Sequence, residues 1–489
     1  MTDTDRLFFL DQHGCAKNQV DGELLVGLLL ARGWQRTGDP SEAALIIINT
    51  CGFIESAKTE SLQSLMEARA AYPDAKIVFA GCLAERYMDA FSEDLPEADA
   101  LFGNGDLSRF DDIIDALFAD DSTGSHGTES EGKTVPASKT AVRPCVKPPQ
   151  EGVCSGPRPE FLNFPGSAYV KITEGCNNCC AFCAIPVIRG ELRSRPQNDI
   201  IAEIKELRSR GVFEINLIGQ DLAAYGRDGV PKGKSNHPVY SEEPSPLKKL
   251  LEAISALPGH FWVRLLYIHP DHFPFDILDT VAADSRILPY FDVPFQSGSN
   301  NVLAAMNRTG SRESYAALAK RVREAGAVLR TTFLCGFPGE TDEDALETEE
   351  FLSLVRPDWS GCFPYSREED TPAYSMKKQV SHKKAALRAS RLEELQSAIT
   401  QERLAAHVGK EYEVLIEEII DDPENDAGIA LGRSWFQAPE VDGATIVRYE
   451  LDSEEQKAAV QPGKVVKVKV LGVSGVDIDT LFLGACHDE

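Results

Sequence analysis

The sequence predicts an α/β multidomain protein: an N-terminal open α/β sheet, a central partial (β/α)6 barrel and a small C-terminal antiparallel β-barrel. Three observations carry this. Short, almost wholly apolar runs alternate with helical patterns in residues 5–119. Six more such runs alternate with helical stretches in residues 165–400. Residues 407–489 instead hold strand-like runs punctuated by glycines. With 489 residues, the chain can give each region its own core.

The first region reads as βαβαβ. Its apolar runs are Leu7–Leu10, Leu45–Thr50 and Lys76–Gly81, as expected of parallel strands buried on both faces. Helical patterns from Gln19 to Arg32 and from Glu55 to Ala71 separate them. Each run leads to a cysteine: Cys15, Cys51 and Cys82. Ligands of open doubly wound sheets bind beyond the carboxyl ends of the strands, where these three thiols fall. One cysteine after a strand is an ordinary small buried residue. Three, each after its own strand, predict a site where three thiolates hold a cluster.

Residues 120–164 are rich in Ser, Thr, Gly, Pro and charge, as in Ser122–Gly127 and Lys147–Gln150. Such a stretch buries too little apolar surface to order itself and predicts a flexible linker. Cys145 and Cys154 lie in it with no assigned role.

The central region opens on the apolar run Ala168–Ile172 and a loop in which Cys176, Cys180 and Cys183 are spaced C-x3-C-x2-C. Soft thiolates in a tight loop suit an iron–sulfur cluster. Three ligands leave one iron with an open position, where a small molecule can bind. Structural zinc is the alternative, but such sites are closed by four ligands, commonly in paired sets, and no fourth follows at such a spacing. Cys179 is a further thiol in the loop, outside the spacing. Strand-like runs recur at Ile215–Asp221, Trp262–Ile268, Tyr290–Pro294, Val328–Leu334 and Trp359–Phe363. Repeated βα units predict a parallel barrel with its site at the carboxyl ends of the strands. Polar residues gather there: Gln220, Asp221, His269, Gln296, Ser297, Glu340, Tyr365 and Ser366. Singly, each is an ordinary cap or turn residue; together they predict a rim. The loop from Gly226 to Pro246 reads as a lid or an insertion.

After a charged helical stretch from His382 to His407, strand-like runs return at Tyr412–Ile416, Thr445–Val447 and Val465–Val470. The last alternates with period 2, and glycines punctuate the whole, predicting a small antiparallel barrel. Residues 407–489 carry 18 acidic against 7 basic side chains, a net of −11. Small barrels that bind RNA use basic grooves; this one has the opposite sign. The whole chain carries −27, which argues against an electrostatic grip on nucleic acid; solubility or a salty cytoplasm accounts for such a charge, and so does a basic protein partner. The start has neither a basic nor an apolar segment of a signal peptide, and no apolar run is long enough to cross a bilayer. Twelve scattered cysteines in such a chain favour metal or catalytic roles over disulfides. The expected location is the cytoplasm, with no membrane partner.

The C-x3-C-x2-C loop, with Phe182 before its last cysteine, resembles the radical S-adenosylmethionine superfamily. The resemblance implies a [4Fe–4S] cluster on Cys176, Cys180 and Cys183 that binds S-adenosyl-L-methionine at its open iron. The full order of domains resembles the methylthiotransferase family. That family implies an auxiliary [4Fe–4S] cluster on Cys15, Cys51 and Cys82 and a TRAM-like C-terminal barrel. Within the family, Trp262–Tyr267, Ile287–Asp292, Arg330–Phe333, Gly361–Ser366 and Gly432–Ser434 with Ala438–Gly443 resemble the branch that modifies an aspartate of ribosomal protein S twelve. Gln296–Ser299 is closer to the branches that modify tRNA adenosines, isopentenyl or threonylcarbamoyl. The implied activity is addition of a methylthio group to the β-carbon of that aspartate, with a tRNA-adenosine methylthiotransferase as the alternative and a non-catalytic two-cluster electron carrier as a third reading. The implied partners are the basic ribosomal protein, free or in the small subunit, and an electron donor such as flavodoxin or ferredoxin. Nucleic-acid binding is expected only as part of the ribosome.

Overall fold

A computed structural model describes residues 6–118, 143–229, 244–420 and 427–486. Residue 119, residues 120–142 of the expected linker, residues 230–243 of the expected loop, and Asp421 and Asp422 lie outside them. The chain forms two compact units: Met1–Glu160 with Val187–Gly190, and Phe161–Pro186 with Glu191–Glu489. Among the described residues, no helix is long and apolar enough to cross a membrane.

In the first unit, β1 (Leu7–Gln12), β2 (Gln35–Arg36), β3 (Leu45–Thr50), β4 (Lys76–Gly81), β5 (Ala100–Phe102) and β6 (Cys145–Val146) form one parallel sheet of order β2-β1-β3-β4-β5-β6. Helices α1 (Ala16–Ala31), α2 (Glu55–Ala71), α3 (Cys82–Asp94) and α4 (Phe110–Phe118) connect and cover it. All six residues of β3 are buried, which is why Leu45–Ile48 is continuously apolar; only Asn49 and Thr50, at the carboxyl end that faces the cysteines, are polar. Ile46, Ile48, Ile77 and Phe79 pack with Leu65, Leu83 and Met88 from the helices. Each such side chain contributes about 1.5–3 kcal/mol by leaving water. Strand order reverses between β1 and β3, the switch point where such sheets bind ligands.

The end of the expected linker is not free. Cys145–Val146 pairs with Leu101 and Phe102 as the sixth strand, because the exposed edge of β5 offers unpaired backbone groups. Composition could not reveal a two-residue strand whose stability comes from its partner.

In the second unit, β7 (Ser167–Lys171) leads to the cysteine loop, which β8 (Thr173–Glu174) and β9 (Arg193–Ser194) brace as an antiparallel pair. Helix α5 (Ile185–Ile188) follows the cysteines in the chain. Strands β10 (Glu214–Ile218), β11 (Trp262–Leu265), β12 (Ile287–Asp292), β13 (Val328–Cys335) and β14 (Trp359–Pro364) join β7 in a parallel sheet of order β14-β13-β12-β11-β10-β7, the partial barrel expected. Alternate strand residues, among them Val170, Ile215, Leu217, Val263, Leu265, Phe291 and Leu329, pack against helices α6 (Gln197–Ser209), α7 (Pro246–Ser255), α8 (Ile277–Ala283), α10 (Arg312–Glu324), α11 (Asp342–Val355) and α12 (His382–Ala405). Helix α9 (Asn300–Ala305) lies beside the cysteine loop.

Residues of the opposite strand face are polar. Glu214 accepts from Ser167 Oγ at 2.9 Å and from Arg264 Nε at 3.0 Å. Into this face the C-terminal module inserts residues 433–442. Arg433 donates to Glu214 at 2.7 and 3.0 Å, and Arg264 donates to the Trp435 carbonyl at 2.8 Å. Tyr290 donates to Asp442 at 2.6 Å, and Trp359 Nε1 to the Phe436 carbonyl at 2.8 Å. Four of the stretches that carried the branch resemblance, those holding Arg264, Tyr290, Arg433 and Asp442, therefore supply contacts between the two barrels.

The module itself is a closed barrel of β15 (Glu411–Ile420), β16 (Ala427–Arg433), β17 (Thr445–Glu450), β18 (Val465–Ser474) and β19 (Asp477–Ala485), in the order β15-β16-β17-β19-β18, with α13 (Glu454–Ala459) between β17 and β18. Val414, Ile416, Val447, Val466 and Val468 fill it. All pairs are antiparallel except β17 with β19. Five strands closed in a ring cannot all alternate in direction, so one parallel pair is required.

Candidate metal centres

The three N-terminal cysteines meet at the carboxyl end of the first sheet. Cys15 is the N-cap of α1 and Cys82 the first residue of α3. Glycines permit this. Gly81 has φ +94°, and a Cβ there would lie 2.5 Å from Asn49 Oδ1. Gly14 has φ +89°, and its Cβ would lie 2.9 Å from Cys51 Cβ. A side chain at either position would meet strain as well as collision. Buried Asn18 ties the loops together, donating to the carbonyls of His13 (2.7 Å), Thr50 (3.2 Å) and Asn49 (3.3 Å). Thr50 Oγ1 donates to Ala80 O and accepts from Leu83 N, so the loops after β3 and β4 are fixed to one another.

The thiols act on one another electrically. Burial, then the neighbouring Cys82 and Cys15, push the Cys51 thiol up to about 12. Burial also raises Cys82, with Cys15 adding to it and Arg189 opposing. Around Cys15 burial is outweighed by Lys17, Arg189 and the N–H groups opening α1, and its thiol is lowered. Arg189 was missed by sequence reasoning. It is 2 % exposed, donates to Asp21 Oδ2 at 2.9 Å and lies 3.2 Å from Cys82 Sγ. No local pattern pointed to it, because its partners Cys82 and Asp21 lie more than a hundred residues away in sequence. Asn104 Nδ2 donates to the same sulfur at 3.4 Å.

The second trio lies on the loop after β7. Cys183 N donates to Cys180 O, Ala181 N to Met306 O, and Asn307 Nδ2 to Cys179 O, each at 3.0 Å. Burial raises all three thiols, Cys183 to about 12, and the other cysteines of the loop add to each shift. Cys180 Sγ is 3.8 Å from His269 Nε2. Asp221 anchors the surroundings: it accepts from Asn178 (2.8 Å), Ala223 N (3.0 Å) and His269 N (3.1 Å) and pairs with His272 at 2.5 Å. Against the effect of burial, His272 and His269 hold its carboxyl well below the ordinary range. Cys179 has φ +51°, in the left-handed region that non-glycine residues seldom adopt.

Of the predicted rim, Asp221 and His269 adjoin the cysteine loop as described. Gln220 donates to Glu174 at 3.0 Å, and its Oε1 has no hydrogen-bond partner among the described residues. Gln296 is held at φ +70°, a strained conformation of the kind that collects at functional sites. Ser297 bonds Thr348, and Ser366 donates to Glu368. Tyr365 is buried against Phe337, and its hydroxyl has no hydrogen-bond partner among the described residues. Glu340 is spent on a buried pair with Arg388 at 2.6 Å and on Gly336 N at 2.9 Å. His272, Asn178 and buried Arg308 were not anticipated; His272 follows its strand by more residues than the rim pattern allowed.

Both trios fit an iron–sulfur cluster. In each, crowded thiols oppose one another's ionisation, and a cationic group bound among them reverses that penalty. Among the described residues no three His, Cys, Asp or Glu side chains are arranged to hold a single metal ion; in a four-iron cluster each thiolate binds a separate iron.

Three family models match the chain: Uncharacterized protein family UPF0004 over residues 7–103, the Radical SAM superfamily over 170–352 and the TRAM domain over 408–480. Three relatives carry the name ribosomal protein uS12 methylthiotransferase RimO. That of Treponema denticola is 50 % identical over 96 % of this chain and 100 % of its own. Those of Desulforamulus reducens and Aquifex aeolicus are each 36 % identical, over 94 % and 95 % of this chain and 95 % and 94 % of theirs. Among solved structures, the radical S-adenosylmethionine methyltransferase TsrM from Kitasatospora setae, with cobalamin and a [4Fe-4S] cluster bound, aligns with a TM-score of 0.51 at 17 % identity over 75 % of this chain and 74 % of that one, a likeness of fold alone.

Proposed function

The chain belongs to the RimO family of radical S-adenosylmethionine methylthiotransferases, and from that membership we propose that it adds a methylthio group to the β-carbon of an aspartyl residue in ribosomal protein uS12. The observation that carries the reading is the 50 % identity to a RimO over the relative's whole length, together with two separate cysteine trios. The cofactors are two [4Fe–4S] clusters and S-adenosyl-L-methionine. Cys15, Cys51 and Cys82 would hold one cluster; Cys176, Cys180 and Cys183 would hold the other and leave an iron open to the cofactor. We assign these roles to domains at 5–119 and 165–400, with the acidic barrel at 407–489 serving the substrate.

A β-carbon C–H bond has no acidic proton for a side-chain base to remove. The bound cofactors supply the radical and the sulfur, and the protein supplies orientation and electrostatics. The chain's own part is visible in the supports: Asn178, Asp221 and His272 fix the loop that presents Cys176, and Asn18 and Thr50 fix the loops that present Cys15, Cys51 and Cys82. The barrel's −11 charge supports a basic protein substrate over tRNA. Glu417 is not part of that surface, because it is tied to Arg433 at 2.5 Å; Glu418 is exposed beside it. A flavodoxin or ferredoxin would deliver the electron, in the cytoplasm.

Mass spectrometry of uS12 and of tRNA from a strain lacking the protein tests the reading. Loss of the methylthio group from uS12 is expected, with tRNA unchanged. Loss from tRNA alone would overturn it.

A further inference from the structure

The sulfur of Cys82 differs from those of Cys15 and Cys51 in its surroundings. It is buried, and two side-chain N–H groups address it: Arg189 Nη2 at 3.2 Å and Asn104 Nδ2 at 3.4 Å. For Cys15 and Cys51 the hydrogen bonds that favour the thiolate come from the backbone, at Lys17 and Asn18 and at Phe53. Arg189 is the cation that all three thiols share, since it acts electrostatically on each. It also donates to Asp21, at 2.9 Å, and both members of that pair are almost fully buried. Burying a guanidinium is costly unless its charge is compensated. Asp21 compensates it, and it also holds the fork in an orientation that points a second N–H at the sulfur.

We propose that Arg189 is a positioning residue of the N-terminal site, donating a charge-assisted hydrogen bond to the Cys82 thiolate and thereby raising the reduction potential of the cluster held there. The proposal rests on Cys15, Cys51 and Cys82 being that cluster's ligands. Reduction adds negative charge to the cluster and its sulfurs. A cation and an N–H donor at one sulfur stabilise the reduced form more than the oxidised form, so the potential rises. Asp21 moderates the effect, because its carboxylate offsets part of the guanidinium charge. The two residues therefore act on the potential with opposite signs, which a merely architectural ion pair would not do.

The test uses the full-length chain with Cys176, Cys180 and Cys183 all changed to alanine, reconstituted with iron and sulfide, so that a single cluster is titrated. Iron content and a redox titration followed by electron paramagnetic resonance are the readouts. Arg189→Gln should keep its iron, while its reduced fraction at a fixed poise falls about tenfold, a displacement of about 59 mV for one electron. Arg189→Lys should fall less. Asp21→Asn should move the potential the opposite way. The double variant Arg189→Gln with Asp21→Asn strands no buried charge, and should lie below Asp21→Asn alone. An unchanged potential in Arg189→Gln with full iron would overturn the proposal. So would shifts of the same sign from Arg189→Gln and Asp21→Asn, or a loss of iron in both single variants that the double variant restores at the parent potential. Failure of the ligand reading looks different: the parent triple-alanine chain would take up no cluster, or Cys82→Ala in that chain would leave the cluster unaltered.

Discussion

Replacing Glu214 with alanine would strand two guanidinium groups in the interior of the second unit. Glu214 and Arg264 are fully buried and Arg433 nearly so, and the carboxylate lies between them at 2.7–3.0 Å. Breaking a buried ionic set by removing one member typically costs about 3–5 kcal/mol, mostly because the remaining charge is uncompensated. With roughly 2.1 cal/mol/K of unfolding entropy per residue, a cooperative body of about 300 residues loses roughly 5–8 °C in Tm for that cost. Differential scanning calorimetry of the full-length protein measures it directly. Exchanging the whole set, Glu214→Gln and Glu417→Gln with Arg433→Met and Arg264→Met, should recover more than half of the loss, since the Glu417 carboxylate that Arg433 also holds is then neutralised with the rest. A fall of less than about 2 °C in Glu214→Ala would refute the argument that this network joins the C-terminal barrel to the central sheet. The sign of the pH dependence follows too. Although burial opposes it, Arg433 and Arg264 hold the Glu214 carboxyl well below its ordinary value. The contribution is therefore full above the unfolded carboxylate range and is lost only as strong acid protonates the folded state.

Cys180→Ala should remove about half of the iron from the reconstituted enzyme and stop cofactor cleavage, whereas Cys15→Ala should keep cleavage and transfer no methylthio group; equal loss of cleavage in both would end the division of labour between the trios. On the acidic barrel, Glu418→Lys should weaken uS12 binding in a salt-dependent way at unchanged Tm, while Glu417→Lys should lower Tm by setting two cations against each other; pull-down affinity at two salt concentrations and a melting curve separate them. Burial, with Lys410 nearby, lowers His407 to about 4, and its Nδ1 lies 2.7 Å from the Tyr412 hydroxyl. A histidine kept neutral in the fold binds its proton more readily when unfolded, so stability should decline as pH drops from about 6.5 towards 4. Urea midpoints across that window should decline less in His407→Gln.

Much of this was legible because parallel strands buried on both faces leave continuous apolar runs. Leu45–Thr50 and Lys76–Gly81 could hardly be anything else, and their cysteines fell where such sheets bind ligands. The period-2 alternation of Val465–Val470 was equally plain. What stayed hidden depends on contacts between segments remote in sequence. Glu214, Arg264 and Arg330 are charges inside apolar strands, and what satisfies them was not legible, because their partners Arg433, Trp435 and Asp442 lie about a hundred or more residues away. Glu340 was read as a rim residue because it follows a turn, yet Arg388, from a helix with many exposed charges, claims it. Arg189 carried no local pattern at all.

The first unit is not one stretch of sequence. It ends at Glu160 and resumes for four residues, Val187–Gly190, inside the region that otherwise builds the second unit. A chimera between relatives joined near residue 160 would combine one parent's Asp21 and Cys82 with the other's Arg189. A fragment ending there would have the three cysteines and Asp21 but would lack the guanidinium that donates to Cys82. For this protein the unit of inheritance is discontinuous: exchanging the N-terminal chemistry means carrying those four residues with it, and covariation between positions 21 and 189 is the trace such a constraint would leave.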